Sequence, residues 1–572
     1  MGLPPHLAAE TCTRRLRALD ALGTPAPGIT WHGPARFAGD RPGSEAAVQA
    51  LCGLMAVHGR DRRLPRRLGL DVASVAAGVL AAQGALAAAL AHRRGTTAPV
   101  QTSVLQAGLV LCSHYFVVAT GLGDALPGPP LPAPGPPFRS ADDRWFEIET
   151  LDAGSWKAFW TDLGVAPDAD LGRAWTAFLW RYERATCSLP PGLHEATARR
   201  PLDELRRTAA RAGVSLVPLR DYADVLLDPG TGVAHPTLRP YRGPGVIPTA
   251  RSEGGLPLAG LRVVEATSRI QGPFAGMLLR MLGADVVRVQ PPQGDYGRAA
   301  ITLHREKASV QLDLEDRAGR AELVELVAGA DVFLHNWRPG KAEVWRLGFD
   351  DLAGRHRGLV YASASGWGER GGPGDVLGTD FLVQAYTGMG QGLHPEGEPP
   401  FPSRMILCDL FGALVTAEGV LAGLYRRDRD GGSCEVSSSL LAGAMALQAH
   451  VLDGMAGGEE EGRRRGRPRW GVLDRPIATA DGWLVVSADG QDFETLGRIC
   501  GVTAEGPDAD QRIAARLAED SAARGEEALV AAGIPAAAVA DDLPAVAADP
   551  RLSGLFEAVA GGVAPRAPWS FG

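Results

Sequence analysis

Hydrophobic positions between Leu258 and Gly366 fall into short apolar runs that alternate with helically spaced stretches. Residues 261–267 (LRVVEAT), 284–290 (ADVVRVQ), 308–314 (ASVQLDL), 331–336 (DVFLHN) and 358–366 (GLVYASASG) read as strands, short apolar or alternating runs. Between them, 273–283 (PFAGMLLRMLG) and 317–330 (RAGRAELVELVAGA) carry apolar residues at helical spacing, the first stopping at Gly283. Strands alternating with helices of this length predict an α/β fold with a doubly wound, mostly parallel sheet. In such sheets ligands sit beyond the carboxyl ends of the strands.

A second pattern spans the whole chain. Residues 45–92 align without gaps on residues 380–427, VQALCGLM at Val48 falling against VQAYTGMG at Val383 and AAQGALAAALAHRR at Ala81 against TAEGVLAGLYRRDR at Thr416. After one inserted residue, PVQTSVLQAG at Pro99 faces EVSSSLLAGA at Glu435; later segments around Trp145 and Gly213 match those around Trp483 and Gly533. Matches in the same order point to duplication rather than to chance likeness of Ala-rich helices. The copies are unequal: 258–366 has no counterpart in the first half. The expected organisation is a partial repeat over 1–245, a Pro/Gly-rich linker at 246–257 and a fuller repeat over 258–572. The fuller repeat divides into a nucleotide-binding-like sheet domain (258–375) and a helical crossover with a small domain (376–572).

The stretch from Val72 to Ala91 is apolar over about a membrane span. Its second-copy counterpart carries Asp409, Glu418 and Arg426, so a buried helix is expected, and no membrane partner. With 58 basic against 66 acidic side chains and a formal charge of −8, the chain lacks the basic footprint of a nucleic-acid binder. Seven scattered cysteines without a CxxC pair argue against a disulfide framework or a zinc site, and fit a reducing cytoplasm. Residues 1–15 show no apolar core of a secretory signal.

The first strand-to-helix turn, Ser268 to Phe274, reads SRIQGPF. Gly followed by Pro at a helix start leaves free backbone N–H groups, an anion cradle without the GxGxxG of a dinucleotide site. This turn and its surroundings (LAGLRVVEATSRIQGPFAGMLLRMLGADVVRVQPPQGD), continuing through KASVQLDLEDRAGRAELVELVAGADVFLHNWRPG, DFLVQAYTG and DLFGALVTAEGVLAGLYRRDRDGG, resemble the family III CoA-transferases. That group includes formyl-CoA and carnitine-type CoA-transferases and α-methylacyl-CoA racemases. The resemblance covers essentially all of 258–572; residues 31–245 resemble the later two thirds of a member.

The resemblance implies a sheet domain with a smaller α+β domain, subunits interlocked like links, and coenzyme A bound between the domains. Here the interlocking would be an intramolecular pseudo-dimer with an inactive first copy; a further dimer of the whole chain stays open. It implies an acyl-CoA and a carboxylic acid as substrates, no metal, and CoA contacts at Arg269, Ile270, Gln271, Leu312, Asn336, Trp337 and Arg346. Trp337 suits stacking on adenine and the arginines suit phosphates. The arginine run at 462–470 is either a solvated loop or a phosphate contact.

The family's transferases, on this resemblance, use an aspartate in a GxxDGPP-like turn to attack the thioester. The equivalent position falls on Gly397, flanked by Glu396 and Glu398; Asp61 is the first-copy match of Glu396. Glu396 is the favoured nucleophile. Asp409 fits the aspartate of the racemase branch or an N-cap. The racemase histidine position is Thr379 and its later glutamate Gly490, which disfavours racemisation. The alternative is a diverged member that binds an acyl thioester without CoA transfer, or performs other chemistry.

Overall fold

The computed structural model describes residues 6–33, 42–96, 99–121, 134–228, 234–241, 255–294, 299–369, 372–458 and 466–572. Most of the joint at 246–257 and the arginines at 463–465 lie outside them. The predicted strands form where the apolar runs place them: Arg262–Ala266, Asp285–Gln290, Ala308–Gln311, Val332–His335 and Val360–Ser365. They pair in parallel in one seven-stranded sheet, with Val332–His335 buried along its whole length, as a strand covered on both faces must be. The fold class is α/β, with the large mostly parallel sheet and smaller α+β units repeated in the two halves.

The sheet does not respect the boundaries drawn from sequence. Cys434–Ser439, well beyond 375, returns to pair in parallel with Val360–Ser365. Thr237–Pro240, from the end of the first repeat, closes the edge antiparallel to Cys434–Ser439. In the mirror-image exchange, the C-terminal strand Ser570–Phe571 pairs antiparallel with Val100–Ser103 of the first half. Each half therefore donates an edge strand to the other.

The small sheets are exchanged in the same way. Phe138–Arg139, Trp145–Glu149 and Ser215–Pro218 of the first half pack on the helix Asp380–Tyr386 of the second. Ile477–Ala478, Trp483–Val486 and Ala536–Val539 of the second half pack on the equivalent helix Glu45–Leu51. Between them run the two long helices Val72–Arg93 and Leu407–Asp430, in contact with each other and with their apolar windows wholly buried. By length and composition both could cross a membrane. Here small residues permit close helix packing instead: a Cβ on Gly443, in the neighbouring helix Leu440–Ala456, would lie 2.3 Å from the nitrogen of Gly412 in Leu407–Asp430.

Charges inside this core come in pairs. Arg15, from the helix His6–Ala18 that packs on Val72–Arg93, makes a bidentate ion pair with Glu418, its Nε donating at 2.6 Å. Lys307 Nζ donates to Glu265 at 2.7 Å and to the Pro273 carbonyl at 2.8 Å, with both side chains fully enclosed. That pair fastens the strand Arg262–Ala266 to the helix Gln271–Met281 directly beneath the turn between them. A buried charge needs such a partner, because desolvation otherwise costs several kcal/mol.

Candidate active site

The site is assembled at the carboxyl ends of the strands Arg262–Ala266, Ala308–Gln311 and Val332–His335. The turn after the first strand holds Arg269 in the left-handed region at φ 67°, its side chain exposed, while Ile270 and Gln271 are buried. Asn336, one residue past the third strand, clamps this turn: its Nδ2 donates to the Ser268 carbonyl at 2.7 Å and its Oδ1 accepts the Ser268 N–H at 3.0 Å. Leu312 packs into the core beneath the sheet with Val264 and Phe333. Trp337 is half-buried, its ring stacked on His335 at 4.6 Å, with edge contacts to Trp345 at 5.0 Å and to Phe333 at 5.8 Å. Arg346 follows Trp345 at φ 55° with its side chain exposed.

Asp409 reaches this turn from the other side. It lies in the first turn of the helix Leu407–Asp430, two residues inside it. The cap position is Ile406, so the N-cap reading of Asp409 is corrected: its carboxylate is free for other work. The Gln271 backbone N–H and the Arg269 guanidinium face that carboxylate. Two helix N-termini thus converge on one acid, and both favour its anion. Burial opposes them and prevails, pushing Asp409 up to about 7.

The second acid of the site is Asp380, fully enclosed at the head of its helix. Its Oδ2 accepts the Asp409 N–H at 2.7 Å and its Oδ1 the Gln384 side-chain amide at 2.6 Å. Burial, and then the charge of Asp409, drive its proton affinity well up. Two polar atoms beside this pair, Gln271 Nε2 and Thr379 Oγ1, are buried without a hydrogen-bond partner among the described residues. Native interiors rarely leave such groups empty unless a ligand or water satisfies them.

Glu396 sits elsewhere. Its N–H donates to the Pro468 carbonyl at 2.8 Å and its half-exposed carboxylate accepts from Arg469 Nε at 2.6 Å. Glu398 is held between Arg66 and Arg475, and Asp61 accepts from Arg404 Nε at 3.0 Å. All three loop carboxylates are engaged by arginines, and none of these contacts leads to the first turn. Gly397 adopts φ 90°, a conformation in which an aspartate would be strained.

Sequence reasoning missed Asp380 and the contribution of the first half. Asp380 left one signal, an acid at the same place in both copies (Glu45 and Asp380) heading an otherwise apolar helix. In the first half the corresponding site is closed upon itself. Glu45 accepts the N–H groups of Ala73 and Ser74 at 2.9 and 2.8 Å, the Ser74 hydroxyl at 2.6 Å and the Gln49 amide at 3.0 Å.

A model of CoA-transferase family III matches residues 29–244 and again residues 258–556. The chain belongs to this family. The two matched segments are the two halves of the duplication. Among curated family III relatives, the chain is 29% identical over 258 residues to the human succinyl-CoA:glutarate CoA-transferase, covering 42% of this chain and 59% of that one. It is 33% identical over 259 residues to a probable fatty acyl-CoA transferase of Mycobacterium tuberculosis, covering 41% and 65%. It is 35% identical over 195 residues to the α-methylacyl-CoA racemase of Mus musculus, covering 34% and 50%. The chain thus spans about three fifths of the length of the first two relatives. A solved CAIB/BAIF family protein from Brucella suis superimposes with a TM-score of 0.49 at 22% identity, over 55% of this chain and 92% of that one.

Proposed function

We propose that this family III member moves CoA between an acyl-CoA and a carboxylic acid, with Asp409 rather than Glu396 as the carboxylate that carries the acyl group. The observation behind this reading is the position of Asp409: buried, beside the turn Arg269–Gln271, and facing two helix N-termini. A carboxylate raised to about 7 is a stronger nucleophile than an ordinary aspartate and is still half ionised near neutrality.

In the proposed cycle, an Asp409 oxygen attacks the thioester carbonyl, the C–S bond breaks, and an aspartyl–acyl anhydride and CoA thiolate form. The thiolate then attacks the aspartyl carbonyl, releasing the donor acid and leaving an aspartyl–CoA thioester. The acceptor carboxylate attacks that thioester to give a new anhydride, and the thiolate attacks its acyl carbonyl, freeing Asp409 and the new acyl-CoA. The Gln271 N–H is placed to steady charge as it develops on an aspartyl oxygen. In this reading Arg269, Ile270, Gln271, Leu312, Asn336, Trp337 and Arg346 are the CoA contacts, with Leu312 backing the site from the core and Asn336 fixing the turn. Thr379 has no titratable proton to exchange at an α-carbon, which weighs against racemisation.

The test is borohydride trapping during turnover with an acyl-CoA and a free acid. Reduction of an aspartyl thioester to homoserine at position 409, read by peptide mass, supports the reading. Reduction at position 396, or at neither position despite turnover, overturns it.

A further inference from the structure

The strand Trp145–Glu149 of the first half alternates in its burial. Phe146 and Ile148 enter the core of the first small domain, whereas Glu147 and Glu149 point the other way, onto the second half. Both glutamates are enclosed. Glu149 accepts from Arg181 Nη2 at 3.0 Å, in an ion pair shut off from solvent, and from the Tyr182 hydroxyl. The ring of Tyr182 meets Phe381, the neighbour of Asp380, edge-on at 5.0 Å, and the Arg181 guanidinium lies 4.6 Å from the centre of the same ring. Glu149 is within electrostatic reach of Asp409, and Arg269 within reach of Tyr182.

The duplication supplies an internal control. The equivalent strand of the second half, Trp483–Val486, faces the closed Glu45–Ser74 pair. There Val485 stands opposite Glu147, and Ser487 opposite Glu149. Buried acids are retained only on the copy of the strand that faces Asp409. Packing alone gives no reason for this difference, because an apolar residue satisfies the same fold at position 485.

We propose that Glu149 and Tyr182 are positioning residues of the Asp409 site, so that the first half, far from being an inert remnant, supplies the wall that tunes the second half's carboxylate. This rests on the assignment of Asp409 as the acyl carrier. The groups facing Asp409 are Asp380 from the helix Asp380–Tyr386, Arg269 and the Gln271 N–H from the first turn, and Glu149 from the first half, with Cys408 adjacent on its own helix. Glu149 adds negative charge to this set, and the Tyr182 hydroxyl and Arg181 partly neutralise it. Removing the charge therefore eases ionisation of Asp409, while removing the hydroxyl hinders it.

The experiment measures the pH profile of kcat/KM for the full chain and for Glu149→Gln and Tyr182→Phe, with borohydride trapping at Asp409 in each. The expected result is an acid limb displaced downward by about one pH unit in Glu149→Gln and upward by a smaller amount in Tyr182→Phe, with trapping retained. Glu149→Gln leaves Arg181 uncompensated; where that variant does not fold, Tyr182→Phe decides alone. Trapping at Asp409 with no displacement, or with both displaced the same way, overturns the proposal and leaves Asp409 as carrier intact. Absence of trapping at Asp409 in the unaltered chain overturns the carrier assignment itself.

Discussion

The Asp380 carboxylate accepts the backbone N–H of Asp409 at 2.7 Å, whereas at the matching place in the first half Glu45 takes both the N–H and the hydroxyl of Ser74. Two substitutions, Asp380 for Glu45 and Asp409 for Ser74, separate an open pair of carboxyls from a closed carboxyl–hydroxyl pair. In the first half Glu45 already accepts from the Ala73 and Ser74 N–H groups, the Ser74 hydroxyl and the Gln49 amide. In the second, two acids share one enclosed volume and at least one of them holds a proton near neutrality.

Asp409→Asn is expected to lower kcat at least about 10³-fold while leaving CoA affinity, read by calorimetry, within a few fold. Glu396→Gln, which breaks a half-exposed ion pair with Arg469, is expected to stay within a few fold of the parent in both. In the parent, kcat/KM should rise with pH through about 7 as Asp409 ionises. A loss at Glu396→Gln comparable to that at Asp409→Asn would reverse the assignment.

The sheet was legible because short apolar runs such as Asp285–Gln290 and Val332–His335 announce themselves locally. The duplication was legible because it is a fact about letters. The choice between Glu396 and Asp409 was not. Counting from Gln384 places Glu396 in the expected loop, but what distinguishes the two acids is burial and the meeting of two helix ends, brought together from 138 positions apart in the chain (Gln271 and Asp409). The exchange of edge strands was hidden for the same reason: Thr237–Pro240 is short and half Pro-flanked, and only its partner Cys434–Ser439 makes it a strand.

Glu147 gives a stability prediction whose size depends on pH. It is fully enclosed, its oxygens make no well-formed hydrogen bond among the described residues although the Ile148 N–H lies close, and Arg404 Nη1 is 4.0 Å away. Burial raises it to about 7, against the opposing pull of Arg404 and Arg181. The folded chain therefore holds a proton that the unfolded chain releases above its ordinary range near 4.5, and the fold loses stability as pH rises from there through 7. Glu147→Gln removes this loss. Urea denaturation should show the variant more stable than the parent at pH 8, by on the order of 2–3 kcal/mol, and indistinguishable at pH 5. Equal stability at both values would mean that Glu147 is ionised without penalty.

Arg15 and Glu418 join the N-terminal helix to the centre of the second half, with neither side chain more than a few per cent exposed. Arg15→Ala strands Glu418 among the two long helices and is expected to cost about 3–5 kcal/mol by denaturant unfolding. Replacing both by Met and Leu is expected to recover most of that, because the pair neutralises itself rather than contributing net stability. Failure of the double variant to recover would show that the pair does more than cancel its own desolvation.

Gly443 sets the distance between the helix that carries Asp409 and the helix Leu440–Ala456. A methyl there would meet the Gly412 nitrogen at 2.3 Å and the Phe411 carbonyl carbon at 2.6 Å, both backbone atoms that have no rotamer by which to retreat. The helices must then separate, and the turn holding Asp409, only three residues before Gly412, moves with them. Gly443→Ala is expected to lose about 1–3 kcal/mol of stability, and kcat should fall by about tenfold or more even where the variant is fully folded. Because Gln271 Nε2 lies within 3.1 Å of a Cβ built on Gly412, the same shift should loosen the first turn and raise KM for the acyl-CoA. A Gly443→Ala protein with unchanged kcat and KM would show that the registry of these two helices does not hold the carboxylate in place.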